Sequence, residues 1–326
     1  MIEEVLKKTS EMFPLPTATA SSLPSVAPIP TVAPGPEPTY EVAGDAGMKT
    51  LWVVFVLMLI ASAGFTVMSW KVPLNKRLYH VITTIITLTA ALSYFAMASG
   101  AGVSLKKEVE REQHDHVPDT YNVVYRQVYW ARYVDWTITT PLLLLDLGLL
   151  AGMSGGHMIM MVVADIIMVL TGLFAAFGTE DTAQKWGWYT ISCIAFLFVF
   201  WHLGLNGGAN ARAKGDKLRG FFISIAAYTA VLWTAYPMQV SSIPTPPDLM
   251  LIRSSVWGIA DGARKASVDT EIIAYAVLDV LAKAVFGAWL LVAHANMRES
   301  DVELNGFWAN GLSREGAIRI GEDDGA

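Results

Sequence analysis

The chain has little charge. Of its 326 residues, 16% are Asp, Glu, Lys or Arg and 53% are hydrophobic, where a soluble domain carries roughly 25% charge. That balance points to lipid. There is one cysteine, Cys193, so no intrachain disulfide can form and a disulfide-stapled scaffold is excluded. Basic excess is also missing. The net charge of -6 is spread along the chain and implies no nucleic-acid partner. The six histidines have no metal-ligand spacing; His114 and His116 sit among acids in a connection, so no metal site is expected. The first 13 residues lack the basic start and apolar core of a signal peptide. No internal repeat of the transporter kind is present.

What is present is a set of long apolar runs. Seven stretches approach the roughly 20 residues that a bilayer core demands of a helix: 49–70, 78–100, 125–150, 157–177, 186–205, 218–238 and 270–295. They are too long for strands and lack period-two alternation. The predicted fold is an all-α membrane protein, a seven-transmembrane-helix bundle. Lys71, Lys76 and Arg77 in the first connection, and Arg212, Lys214, Lys217 and Arg219 in the fifth, place both in the cytoplasm by the positive-inside rule. The N-terminus is then outside and the C-terminus cytoplasmic. Residues 1–48 read as a disordered extracellular tail, because 14–38 hold eight of the 15 prolines. Residues 296–326 read as a polar cytoplasmic tail.

The chemistry lies in ionisable residues at membrane depth, each costly there and each a functional candidate. In the seventh run Asp279 and Lys283 are four apart and share a helix face. They read either as an ion pair that fixes packing or as an amine nucleophile with its counterion. In the third run Asp135 and Asp146 are 11 residues apart, roughly 16 Å along the axis and about three full turns, so they point the same way. Two carboxylates on one face opposite a Lys–Asp pair fit a proton relay. Arg132 lies one turn outward of Asp135. Pro141 opens a local defect for a hydroxyl or water. Asp165 is expected to bond a neighbouring helix. Trp136, Trp188, Tyr189, Trp233 and Tyr236 could wall a long flat ligand, although singly each is an ordinary core or interfacial residue.

The strings RYVDWTITTPLLLLD (132–146), WTAYP (233–237) and LDVLAK (278–283) resemble the microbial rhodopsins, closely so bacteriorhodopsin and the fungal proton pumps. The resemblance covers about residues 49–295. It implies that Lys283 carries all-trans-retinal as a protonated Schiff base, with Asp135 as proton acceptor and Asp279 as second counterion. It further implies that Thr139 bonds the acceptor, that Asp146 is the cytoplasmic donor and that Arg132 is a mobile exit-side arginine. Asp261 and Glu271 match the outer acidic pair that releases the proton. Tyr94, Trp136, Thr140, Leu143, Met168, Trp188, Tyr189, Ser192, Trp233, Tyr236, Pro237 and Trp257 match positions around retinal, with apolar Leu143 at a colour-tuning position that goes with green absorption. The expected activity is light-driven outward proton transport, not enzymatic turnover, in a multi-pass protein of the plasma membrane. Lipid and protons are its partners, and a homo-oligomer is allowed. The alternative is a photosensor of the same fold that signals through a partner protein.

Two kinds of departure stand out. Tyr189 replaces an expected Trp, and Cys193 an expected Thr. Residues 239–255, with Pro244, Pro246 and Pro247, separate Tyr236-Pro237-Met238 from the expected continuation at Val256-Trp257-Gly258, and such a segment breaks a helix at membrane depth. They are read as translated intron or a gene-model error: 17 residues are about 51 nucleotides, which keeps frame, and Val240-Ser241 can be encoded by a splice-donor-like string. The alternative is a genuine insertion looping outward.

Overall fold

The computed structural model describes residues 37–72, 77–112, 120–179, 182–236 and 267–297. Most of both tails, the 239–255 segment, Pro237, Trp257 and Asp261 lie outside the described residues.

Seven helices run through the described residues: α1 (Asp45–Trp70), α2 (Leu78–Ala98), α3 (Trp130–Ala151), α4 (Gly155–Phe177), α5 (Ala183–Lys214), α6 (Asp216–Thr234) and α7 (Val268–Ala295). Six are long and apolar enough to cross a membrane. The other, α6, opens with Asp216, Lys217 and Arg219, which dilute its apolar run. Each helix packs on the next in order, and α7 closes the ring against α1 and α6. Outer faces carry large apolar side chains, such as Val231 at 72% exposed and Leu197 at 66%. In water such a surface would be a liability, but against lipid tails it costs nothing.

Local signals explain the ends. At the start of α7, Ser267 accepts from the Thr270 amide at 3.3 Å, and Asp269 and Glu271 occupy the first turn, where negative charge meets the positive end of the helix dipole. Thr182 caps α5 in the same way. Gly152 ends α3 at φ 72°, a left-handed conformation that costs glycine nothing. Helix α3 runs on through Pro141.

Two helices contain π-helical turns, His202–Gly207 in α5 and Val280–Val285 in α7. The second carries Lys283. Its wider winding changes which carbonyls are satisfied along the helix, and the Tyr228 hydroxyl on α6 donates to the Leu281 carbonyl at 3.0 Å.

The connection between α2 and α3 departs from expectation. It forms strands β2 (Ser104–Glu112) and β3 (Thr120–Val128), paired antiparallel, and β1 (Thr39–Glu41) adds parallel to β3 with Glu41 opposite Arg126. Residues 125–128 therefore belong to a strand, and the third span starts at Trp130 rather than at 125. The apolar count alone merged the two, because Tyr125 and Val128 extend the run. The alternating burial of β3, with Val124, Arg126 and Val128 inward, is the period-two signal for a strand. Lys106 fastens this sheet to the end of α4, donating to the Ala176 and Gly178 carbonyls at 3.1 and 2.5 Å.

Candidate functional site

The centre of the bundle holds three ionisable side chains in contact. The Lys283 amine donates to Asp135 Oδ2 and, at 3.2 Å, to Asp279 Oδ1. All three are at most 2% exposed. Asp279 and Lys283 reach one another from successive turns of α7, and α3 supplies Asp135 from across the ring. An ammonium buried this far from water needs opposite charge and hydrogen bonds together. Asp279 is held from three further directions, by the Tyr94 hydroxyl at 2.7 Å, the Tyr236 hydroxyl at 3.1 Å and Trp136 Nε1 at 3.2 Å. The Thr139 hydroxyl, one turn beyond Asp135, donates to the Asp135 main-chain carbonyl at 2.9 Å.

Asp146 stands three turns further along α3, fully buried, and neither of its oxygens has a hydrogen-bond partner among the described residues. Toward the opposite end of α3, Arg132 donates to Glu271 at 2.9 Å and lies over the Tyr275 ring at 3.9 Å. Ionisable groups thus occupy three levels of one helix: a guanidinium, a carboxylate against an amine, and an isolated carboxyl. Asp165 accepts from the Thr140 hydroxyl at 2.6 Å, joining α3 to α4.

From the Lys283 amine an apolar cavity extends between α3, α4, α5 and α6. Trp136, Thr140, Leu143, Met168, Tyr189, Ser192, Trp233 and Tyr236 line it together with Asp279 and Lys283. Tyr94 touches this group through Asp279 rather than through the cavity wall. Trp188 is not itself in the lining; it packs against the cluster of Tyr133 and Val169 that is, with its ring 5.1 Å from Phe174 at a tilt of 58°. Sequence reasoning left out Tyr133, Val169, Gly172, Phe196 and Ala282, which also line the cavity. Helical spacing could have found two of them, since Gly172 is four residues from Met168 and Phe196 four from Ser192. Arg126 was missed as well; it donates to Glu41 at 2.7 Å and to Glu271 at 3.1 Å.

An apolar cavity lined by aromatic rings and by one amine fits retinal, an extended apolar aldehyde. Lys283 is the lining amine that would hold the aldehyde covalently, with Asp135 and Asp279 beside it as counter-charge.

Fold and site together define a multi-pass integral membrane protein built around a buried lysine and an apolar ligand slot. The chain belongs to the bacteriorhodopsin-like protein family, whose pattern matches residues 47–297. It is 51% identical to Opsin-1 of Neurospora crassa over 95% of this chain and 96% of that one. A light-driven proton pump from Leptosphaeria maculans has a similar crystal structure, with 73% identity, a TM-score of 0.75, and coverage of 81% of this chain and all of the other. The light-driven proton pump of Coccomyxa subellipsoidea is 37% identical, with a TM-score of 0.66 over 78% of this chain and 99% of its own. Halorhodopsin, a light-driven chloride pump, shares the fold at 31% identity and a TM-score of 0.66, over 80% of this chain and all of the other.

Proposed function

We propose that the chain is a light-driven outward proton pump of the plasma membrane, carrying all-trans-retinal on Lys283. One observation carries the reading: the buried contact of Lys283 with Asp135 and Asp279 at the end of an apolar cavity, with Asp146 isolated three turns along α3. When bound, retinal would supply light absorption and a light-dependent change in the proton affinity of the nitrogen that holds it.

The chain's own residues supply the path. Asp135 touches the amine and is the proton acceptor. Asp279 keeps its position as second counterion because two tyrosines and a tryptophan hold it. Asp146 is the donor; a proton on it displaces no existing hydrogen bond, and giving one up breaks none. Acceptor and donor lie roughly 16 Å apart along one helix, so a proton taken at one and replaced from the other has a direction. Arg132 and Glu271 continue the path beyond Asp135. The basic connections at 71–77 and 212–219 are cytoplasmic, which makes the Asp146 side the entry and the Glu271 side the exit.

The similar chloride pump raises a second cargo. Two carboxylates already flank the Lys283 amine, and an anion there would meet like charge in a site of low dielectric. This favours protons. The test is to express the chain, add all-trans-retinal and record the pH of an unbuffered cell suspension under green light. Acidification abolished by an uncoupler, and lost in Asp135→Asn and Lys283→Ala, is the expected result. Colour without acidification would refute the pump.

A further inference from the structure

The outer end of the bundle carries charge beyond the Arg132–Glu271 pair that continues the relay. Reading outward from α3, the order is Arg132, Glu271, Arg126, Glu41. Arg132 Nη1 donates to Glu271 Oε1 at 2.9 Å, Arg126 Nη2 donates to Glu271 Oε2 at 3.1 Å, and Arg126 Nη1 donates to Glu41 Oε2 at 2.7 Å. Side-chain exposure is 3% at Arg132, 1% at Glu271 and 4% at Arg126, then rises to 37% at Glu41. Four side chains of alternating sign therefore lead from the buried centre to solvent. They come from α3, α7, β3 and β1, and the parallel pairing that sets Glu41 opposite Arg126 closes the series.

The geometry at Glu271 is restrictive. Each carboxylate oxygen faces a guanidinium N–H. A proton added to either oxygen would set O–H against N–H and forfeit a charge-assisted hydrogen bond. Arg126 is thus a second arginine on the same carboxylate, supplied by a strand instead of a helix, and Glu41 holds it from the other side. Around this cluster, β1 and the start of α1 are tied down independently. The Ala43 amide donates to Gln127 at 2.7 Å, the Tyr129 hydroxyl donates to the same side-chain oxygen at 3.1 Å, and the Gly44 amide donates to Asp269 at 2.7 Å.

We propose that Arg126 is a positioning residue that keeps Glu271 from carrying a proton in the resting protein, and that Glu41, through Arg126, is the outermost carboxylate of the exit. The functional half of this inference rests on the proton-pump reading. Its consequence is a fixed order of events: with no proton stored at Glu271, a proton reaches the outer solution only after one has been taken up from the inner side.

Two measurements separate this proposal from the pump itself. The first needs neither light nor retinal. Infrared difference spectra between the native full chain and Glu271→Gln at neutral pH are expected to show loss of a carboxylate band and no protonated-carboxyl band. In an Arg126→Gln background the same difference is expected to show a protonated carboxyl, and in Arg126→Lys the carboxylate should return. A protonated carboxyl in the native chain, or no difference between the Arg126→Gln and native backgrounds, would overturn the proposal even if the chain pumps. The second measurement is flash-induced pH change with an indicator dye in retinal-loaded protein. Release after uptake in the native chain, release before uptake in Arg126→Gln and native order in Arg126→Lys are expected. Release before uptake in the native chain would overturn the proposal. Absence of any light-driven pH change would refute the pump and leave the infrared result to decide the resting state of Glu271.

Discussion

Replacing Tyr94 by Phe removes one hydroxyl from the centre of the bundle and little else. That hydroxyl donates to Asp279 at 2.7 Å, the shortest of the tyrosine and tryptophan bonds that Asp279 accepts. Tyr94 is 1% exposed and Asp279 is fully buried, so no bulk water can replace the lost donor. A hydrogen bond to a charged group contributes about 1.5–3 kcal/mol. A bundle of this size changes its melting temperature by about 2–4 °C per kcal/mol, so Tyr94→Phe should melt about 3–12 °C below the native chain. Circular dichroism of the protein in detergent follows the transition. The partner is checked by a double-mutant cycle with Asp279→Ala, where a direct bond should give a coupling energy of about 0.5–3 kcal/mol. A melting temperature within 1 °C of native, or a full cost that persists once Asp279 is gone, would refute the claim that Tyr94 holds this carboxylate.

Two further outcomes are expected. Asp146→Asn should leave retinal colour intact while slowing the recovery of the light cycle about 10²–10⁴-fold at neutral pH, the usual range for losing a positioned proton donor; recovery as fast as native, followed by flash photolysis, would remove Asp146 from the donor role. Tyr129 lies between β3 and α3, where burial pushes its hydroxyl up to about 12 against the pull of the Arg132 guanidinium. Its folded form holds the proton over a range in which the unfolded chain releases it, so stability falls as pH rises from about 10 to about 12, by no more than about 2–3 kcal/mol and by less where solvent screens the hydroxyl. Tyr129→Phe should shrink that loss in alkaline melting curves, and an unchanged slope would show that the hydroxyl does not titrate as described.

The membrane class, the helical spans and the depth of the key charges were legible in the sequence because each rests on a local rule. A run of about 20 apolar residues must satisfy its own backbone in lipid, and the helix does so without help from elsewhere in the chain. The four-residue step from Asp279 to Lys283 and the 11-residue step from Asp135 to Asp146 follow from helical periodicity alone. The resemblance carried by RYVDWTITTPLLLLD and WTAYP placed Trp136, Thr140, Trp233 and Tyr236 around the ligand. What periodicity left out was the sheet. In a count of apolar residues Tyr125 and Val128 look like helix, and only pairing with β2 and β1 makes them strand. Trp188 shows the converse: its residue type suited the cavity, but its direction from the helix turns it to Phe174 instead.

The amino-acid sequence by itself determined which residues are buried in lipid, which of them carry charge, and how far apart those charges lie along each helix. The tertiary structure decided which charges meet. Lys283 and Asp135 are 148 residues apart, and Arg132 and Glu271 are 139 apart. Glu41, Arg126 and Glu271 come from two strands and a helix that no short-range pattern connects. Helical spacing is fixed by backbone hydrogen bonds within a few residues, whereas these contacts exist only because seven helices close into a ring and a small sheet sets Glu41 opposite Arg126.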